Sequence, residues 1–207
     1  MHSKKITLII SLILLTAFSN AQKASDIIVP TGLAALSFVA ADANKKEIAK
    51  EISQFRSKEY IMNYIIGPAE NMEIKFETES LASDDSAGLI SVAFNCNKVN
   101  ERGLLLAFFG NNKNSDGNVG LAYGFRYIPL IYAQELLKRI ALLKAEYKKY
   151  ISSENDVNNV YFEYEDIKFI LYRDSGDKVR VFWNGFEVTW ERTAFDRTSR
   201  RLNRWFD

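Results

Sequence analysis

The dipeptide Asn184-Gly185 limits what this chain can become more than any other feature of the sequence. A two-residue hairpin turn with the right twist needs positive φ at both central positions, which Asn and Gly tolerate best. Folding the flanks about that turn sets Trp183 opposite Phe186, Val181 opposite Val188 and Val179 opposite Trp190. All six side chains are apolar and fall on one face, and a slip of one residue would bury the polar set instead. Glu165-Asp166 does the same upstream, setting Tyr164 against Ile167, Phe162 against Phe169 and Val160 against Leu171. The join over Asp174 to Asp177 needs a bulge, since a plain four-residue loop would place Leu171 opposite Arg180. Residues 159–191 therefore predict a four-stranded antiparallel meander with one strongly apolar face.

The preceding segments carry weaker signals of the same kind. Leu33 to Ala43 is small and apolar and reads as the start of a helix. Ile48, Ile52, Phe55, Met62 and Ile65 then recur at helical spacing until Gly67-Pro68 ends the run. Strand-like runs follow at 72–80, 88–96, 103–109 and 118–127, separated by polar turns. Pro129 opens a second helix with an apolar stripe of Ala133, Leu136, Leu137, Ile140, Leu143, Tyr147 and Tyr150, leaving Lys138, Lys144, Glu146 and Lys148 outside it. A last helix over 193–206 has Phe195, Thr198, Leu202, Trp205 and Phe206 on one side and arginines on the other.

The order is thus helix, four strands, helix, four strands, helix. It predicts an α+β, two-layer fold of two α-β4 halves, 22–128 and 129–207, each with its helix across one sheet face. Letters shared at offsets of 88 and 89 suggest a pseudo-repeat, as in Glu47 to Ile52 against Glu135 to Ile140. Residues 1–21 read as a cleaved secretory signal: Lys4 and Lys5, an apolar stretch from Ile6 to Phe18, then Ser19-Asn20-Ala21. The stretch is too short to span a bilayer. With no Asn-x-Ser/Thr sequon and one cysteine, the address expected is a bacterial periplasm or cell exterior.

Composition excludes several chemistries. The lone histidine, His2, lies within the leader, so the remaining chain has no imidazole for Ser-His-Asp or Cys-His catalysis or for His-ligated metal. Cys96 has no second cysteine to pair with and reads as a small buried residue. No cofactor, metal or disulfide is expected. Removal of Lys4 and Lys5 leaves 25 cations against 26 acids, with no global footprint for nucleic acid. Asn112 to Gly117 has calcium-loop spacing, but Tyr123 stands at the twelfth position, where a bidentate Glu is needed.

What remains are contact surfaces and carboxylates. Tyr161, Ile170, Tyr172 and Phe182 should project from the meander face opposite the core, among Arg180, Glu187 and Thr189. Arg197, Arg200, Arg201 and Arg204 should line the outer side of the last helix, fitting an acidic partner or an anionic membrane surface, or pairing with Glu187 and Glu191. Carboxylate pairs are the only acid–base apparatus left, with Asp84 and Asp85, Glu163 and Glu165, and Glu187 and Glu191 as candidates; Glu163 faces Lys168 and is expected to form an ion pair with it. The expected function is a non-enzymatic binding or interaction protein of the cell envelope. The rival readings are a carrier of an apolar or lipid ligand and a carboxylate-dependent hydrolase of envelope polysaccharide.

Overall fold

The computed structural model describes residues 27–30, 47, 49–70, 72–84, 88–113, 116–152 and 157–207. The expected signal segment and the helix expected over 33–43 lie outside the described residues. The fold is α+β. Among the described residues the strands are antiparallel and belong to one nine-stranded sheet: β1 (Ile27–Pro30), β2 (Glu77–Asp84), β3 (Leu89–Cys96), β4 (Glu101–Lys113), β5 (Val119–Pro129), β6 (Val160–Tyr164), β7 (Ile167–Arg173), β8 (Asp177–Trp183) and β9 (Phe186–Trp190).

Five strands make the first part of the sheet, in the order β1-β5-β4-β3-β2, and four make the second, in the order β9-β8-β7-β6. They meet on β4. This strand runs past the start of β3 and changes partner, pairing Asn112 with Phe186 of β9. Two backbone hydrogen bonds mark the exchange: Phe109 N–H donates to the Gly88 carbonyl at 2.9 Å, and Lys113 N–H to the Gly185 carbonyl at 3.0 Å. The Asn112 side-chain amide donates to the Asn184 carbonyl at 2.9 Å, so it serves the junction and not a calcium loop.

The registers expected around both two-residue turns are the registers found, from Val179↔Trp190 to Trp183↔Phe186 and from Val160↔Leu171 to Tyr164↔Ile167. Asn184 and Gly185 both have positive φ, at 45° and 81°. The join between β7 and β8 is tighter than expected. Asp177 already pairs with Arg173, leaving a three-residue loop with Ser175 and Gly176 at positive φ. Leu171 thereby faces Val179 and the apolar set stays on one side.

The first helix differs from its expectation. After residues 49–51 it passes through π turns at Ile52–Arg56 and Ile61–Ile66 with an α turn, Ser57–Tyr60, between them; together these are α1. Ser57 N–H reaches the Ile52 carbonyl and Gly67 N–H the Met62 carbonyl, both five residues back. The wider turn rotates the buried face to Ala49, Ile52, Ser57, Tyr60 and Ile61, and leaves Phe55 and Met62 of the expected stripe exposed.

The second helix, α2 (Leu130–Glu146), buries Ala133, Leu136, Leu137 and Ile140 as expected. It stops at Tyr147, whose φ and ψ of −94° and 12° begin a short turn, α3 (Lys148–Ile151), so Tyr147 and Tyr150 leave the stripe and are exposed. Lys144, expected outside the stripe, is half-buried over the Phe195 ring at 4.9 Å, and burial lowers its pKa. The last helix, α4 (Arg192–Phe206), buries Phe195, Thr198 and Leu202, with Trp205 and Phe206 packed against the core.

Two cores flank the first part of the sheet. On one face Ile90, Val92, Phe94, Leu105, Phe109, Phe125 and Tyr127 pack with α1. On the other, Leu104, Leu106 and Phe108 share a core with α2, α4 and the inner face of β6–β9, including Trp183, Phe186 and Trp190. The chain is therefore not two separate helix-on-sheet pairs. A sheet packed on both faces needs strands apolar on both sides, and Leu104 to Phe109 is such a run.

Cys96 is buried, with Sγ 3.5 Å from the Lys75 carbonyl. Tyr127 is buried too; its hydroxyl donates to Glu101 Oε2 at 2.8 Å, and burial together with that carboxylate drives the phenol well above its ordinary pKa. Burial also raises Tyr164, to about 12. The folded state thus keeps phenolic protons that the unfolded chain releases near pH ~10. Their contribution is complete below that pH and lost as the pH rises above it. We expect the thermal midpoint to fall above pH ~10, and Tyr127→Phe to flatten that fall while lowering stability at neutral pH by about 1 kcal/mol. An unchanged alkaline slope in the variant would show that Tyr127 does not govern it.

Candidate functional site

The outer face of β6–β9 is built by alternation. Ile167, Phe169, Leu171, Val179 and Val181 point inward, so the residues between them point outward. Across the strands one outer row reads Tyr161, Ile170, Arg180, Thr189, and the next Glu163, Lys168, Phe182, Glu187. Tyr172 extends the patch opposite Lys178. Ile170, Tyr172 and Phe182 are half-buried and Tyr161 is 57% exposed. The four residues singled out from the sequence are thus brought together on one face.

The charges on this face are held in place. Arg180 Nε donates to Glu187 Oε1 at 2.9 Å and its Nη1 to Thr189 Oγ1 at 2.7 Å. Lys168 lies 3.8 Å from Glu163, the expected ion pair, and the Tyr161 hydroxyl also donates to Glu163. Lys178 bridges Asp174 at 3.0 Å and Glu191 at 3.5 Å. Pairs this exposed contribute little to stability, but they fix side-chain directions around the aromatic residues.

These pairings also correct two expectations. Glu187 and Glu191 bind Arg180 and Lys178, not the arginines of α4. Glu163 and Glu165 do not face each other as an acid and base. They project to different sides, since Glu165 pairs with Arg126 of β5. Arg126 is 5% exposed; its Nε donates to Asp166 Oδ1 at 2.9 Å, and Asp166 Oδ2 accepts from Trp183 Nε1 at 2.7 Å. This buried cation fastens the β6–β7 turn to the first part of the sheet. Glu165, in the first position of that turn, has a φ of 52°, uncommon for a residue other than Gly, Asn or Asp. Sequence alone gave no sign of the buried cation, because an arginine in a strand normally reads as solvated.

The four arginines expected on the outer side of α4 fall into two groups. Arg201 Nη1 donates to the carbonyls of Ser80 and Leu81 at 3.1 Å, covering the irregular edge of β2 where its register shifts. Arg197, Arg200 and Arg204 are exposed, with no ion-pair partner among the described residues. The apolar stripe of α4 is spent on the core, where Thr198 Oγ1 lies 2.6 Å from Ser91 Oγ of β3. Among the described residues no group of three His, Cys, Asp or Glu is placed to hold a metal ion, and no helix is long and apolar enough to cross a membrane. No protein-family model matches the chain, and neither curated proteins nor solved structures yield a match.

Proposed function

We propose that this chain is a secreted, non-enzymatic binding protein of the bacterial cell envelope that meets its partner through the outer face of β6–β9. The observation carrying this reading is the contrast between sheet faces. The first part of the sheet is packed on both sides, while the second leaves Tyr161, Ile170, Tyr172 and Phe182 half-exposed on a rigid surface among fixed charges. Tyrosines ringed by satisfied polar groups provide large contact area at low conformational cost, the pattern of interface anchors. Secretion rests on the leader read at 1–21, and absence of catalysis on the lack of an imidazole beyond His2 and on the engagement of Glu163, Glu165, Glu187 and Glu191 with cations. A division into two α-β4 halves descended from a duplication belongs with the same proposal, supported by the order of α1 then β2–β5 and α2 then β6–β9, with β1 standing outside it.

Immobilised protein should capture one predominant component from an envelope extract. The double variant Tyr161→Ser/Tyr172→Ser should reduce that capture by about tenfold or more. Its melting temperature should stay close to that of the parent. Capture that is undiminished in the folded double variant would move the contact elsewhere.

A further inference from the structure

We infer that the paired helices α2 and α4 form a second surface, suited to docking on an anionic membrane. The two lie antiparallel and side by side. Gln134 Nε2 donates to Asn203 Oδ1 at 3.4 Å towards one end, and Lys144 Nζ sits 4.9 Å over Phe195 towards the other. Both bury their apolar sides in the same core, through Leu136 and Ile140 from one and Phe195 and Leu202 from the other. Their remaining sides therefore make one layer facing away from it.

The helices that carry that layer are strongly basic. From α2 through α3 and in α4 there are ten lysines and arginines against three acids, Glu135, Glu146 and Asp196, in a chain whose formal net charge is +1. Arg192 is the one arginine of α4 with an ion pair among the described residues, to Asp196 at 3.8 Å. Lys138, Arg197, Arg200 and Arg204 are exposed and have none, whereas among the described residues three of the four cations of the meander, Lys168, Lys178 and Arg180, are paired and Arg173 alone is not. A field of one sign has been left unneutralised here.

The layer also carries apolar side chains that the core does not use. Ile131 is 68% and Leu142 58% exposed, and their spacing puts both in one row of α2 with Lys138 and Glu135. Tyr147 and Tyr150 stand exposed just beyond the end of that helix. A protein interface needs a contiguous apolar centre, which singly spaced residues among cations do not make. Acidic phosphate headgroups meet the requirement better: cations gather at the surface while isolated apolar and tyrosine side chains enter the headgroup boundary. The last helix does not insert as an interfacial helix on its own, because its apolar stripe is buried in the protein.

The test is co-sedimentation of the whole chain with phosphatidylcholine vesicles with and without phosphatidylglycerol. Binding is expected only to the anionic vesicles. Each arginine near such a surface contributes about five-fold in partitioning, so Arg197→Gln/Arg200→Gln/Arg204→Gln should lower it by about 100-fold. Arg201 is left in place because it caps β2. Added salt should imitate the triple change, and Ile131→Ser/Leu142→Ser should weaken the portion of binding that survives salt. No binding to anionic vesicles, equal binding to neutral ones, or undiminished binding by the folded triple variant would overturn the inference. Any of these would leave the β6–β9 reading standing, since Tyr161 and Tyr172 are untouched.

Discussion

Replacing Trp183 with alanine should destabilise the protein by about 3–5 kcal/mol, the usual cost of truncating a buried aromatic residue. The indole is 2% exposed, lies 4.8 Å from the Phe108 ring and 6.2 Å from that of Phe186, and donates to Asp166. Its removal opens a cavity where both parts of the sheet meet and leaves a carboxylate without one of its donors. Glu187, four residues on, points to the other face and pairs with the half-exposed Arg180. Glu187→Ala should therefore cost less than about 1 kcal/mol. Urea unfolding with a common slope gives both values. Similar losses would mean that the two faces of β8 and β9 are exchanged.

Gly185→Ala should be nearly as damaging, at about 3–4 kcal/mol, for a different reason. The residue has a φ of 81°, and a Cβ there would fall 2.3 Å from the Lys113 carbonyl oxygen and 2.9 Å from the Asn112 amide nitrogen. The first contact is with backbone, so the junction between β4 and β9 must open to admit a methyl group. Left-handed strain and overpacking then add. Gly176→Ala separates the two effects: it too has positive φ, but nothing lies within 4 Å of the added carbon. It should cost only about 1–2 kcal/mol. Equal losses at the two glycines would mean that the turn does not press against β4.

The contrast between these positions reflects what local sequence can encode. Asn184-Gly185 and the alternation around it fix turn, register and buried face together, so β8 and β9 were legible residue by residue. The outer quartet of Tyr161, Ile170, Tyr172 and Phe182 followed from the same alternation. The change of partner along β4 was not legible. Phe186 meets Asn112 across a long stretch of chain, and no short-range pattern records that pairing. The π turns of α1 escaped because an apolar series at three- and four-residue steps fits an α-helix equally well until Phe55 and Met62 are seen in solvent. One signal does lie in the sequence: Leu104 to Phe109 is apolar at every position, which argues for a strand covered on both faces.

The distribution of these contacts sets an order of assembly. Within β2–β5 and within β6–β9, each strand pairs with its neighbour in sequence, so both groups close through short loops. The ties between the two groups and to α4 are distant: Asn112 to Asn184 spans 72 residues, Ser91 to Thr198 spans 107, and Arg201 to Ser80 spans 121. Contacts of such separation form slowly. α4 is also synthesised after every strand it covers. Until it docks, Trp190, Leu81 and the inner side of α2 lack part of their cover, so a chain with its sheet paired but this helix loose would expose apolar surface. Docking of this fifteen-residue helix through Phe195 and Leu202 is therefore expected to be the slow step of folding, later than the pairing of strands within each group.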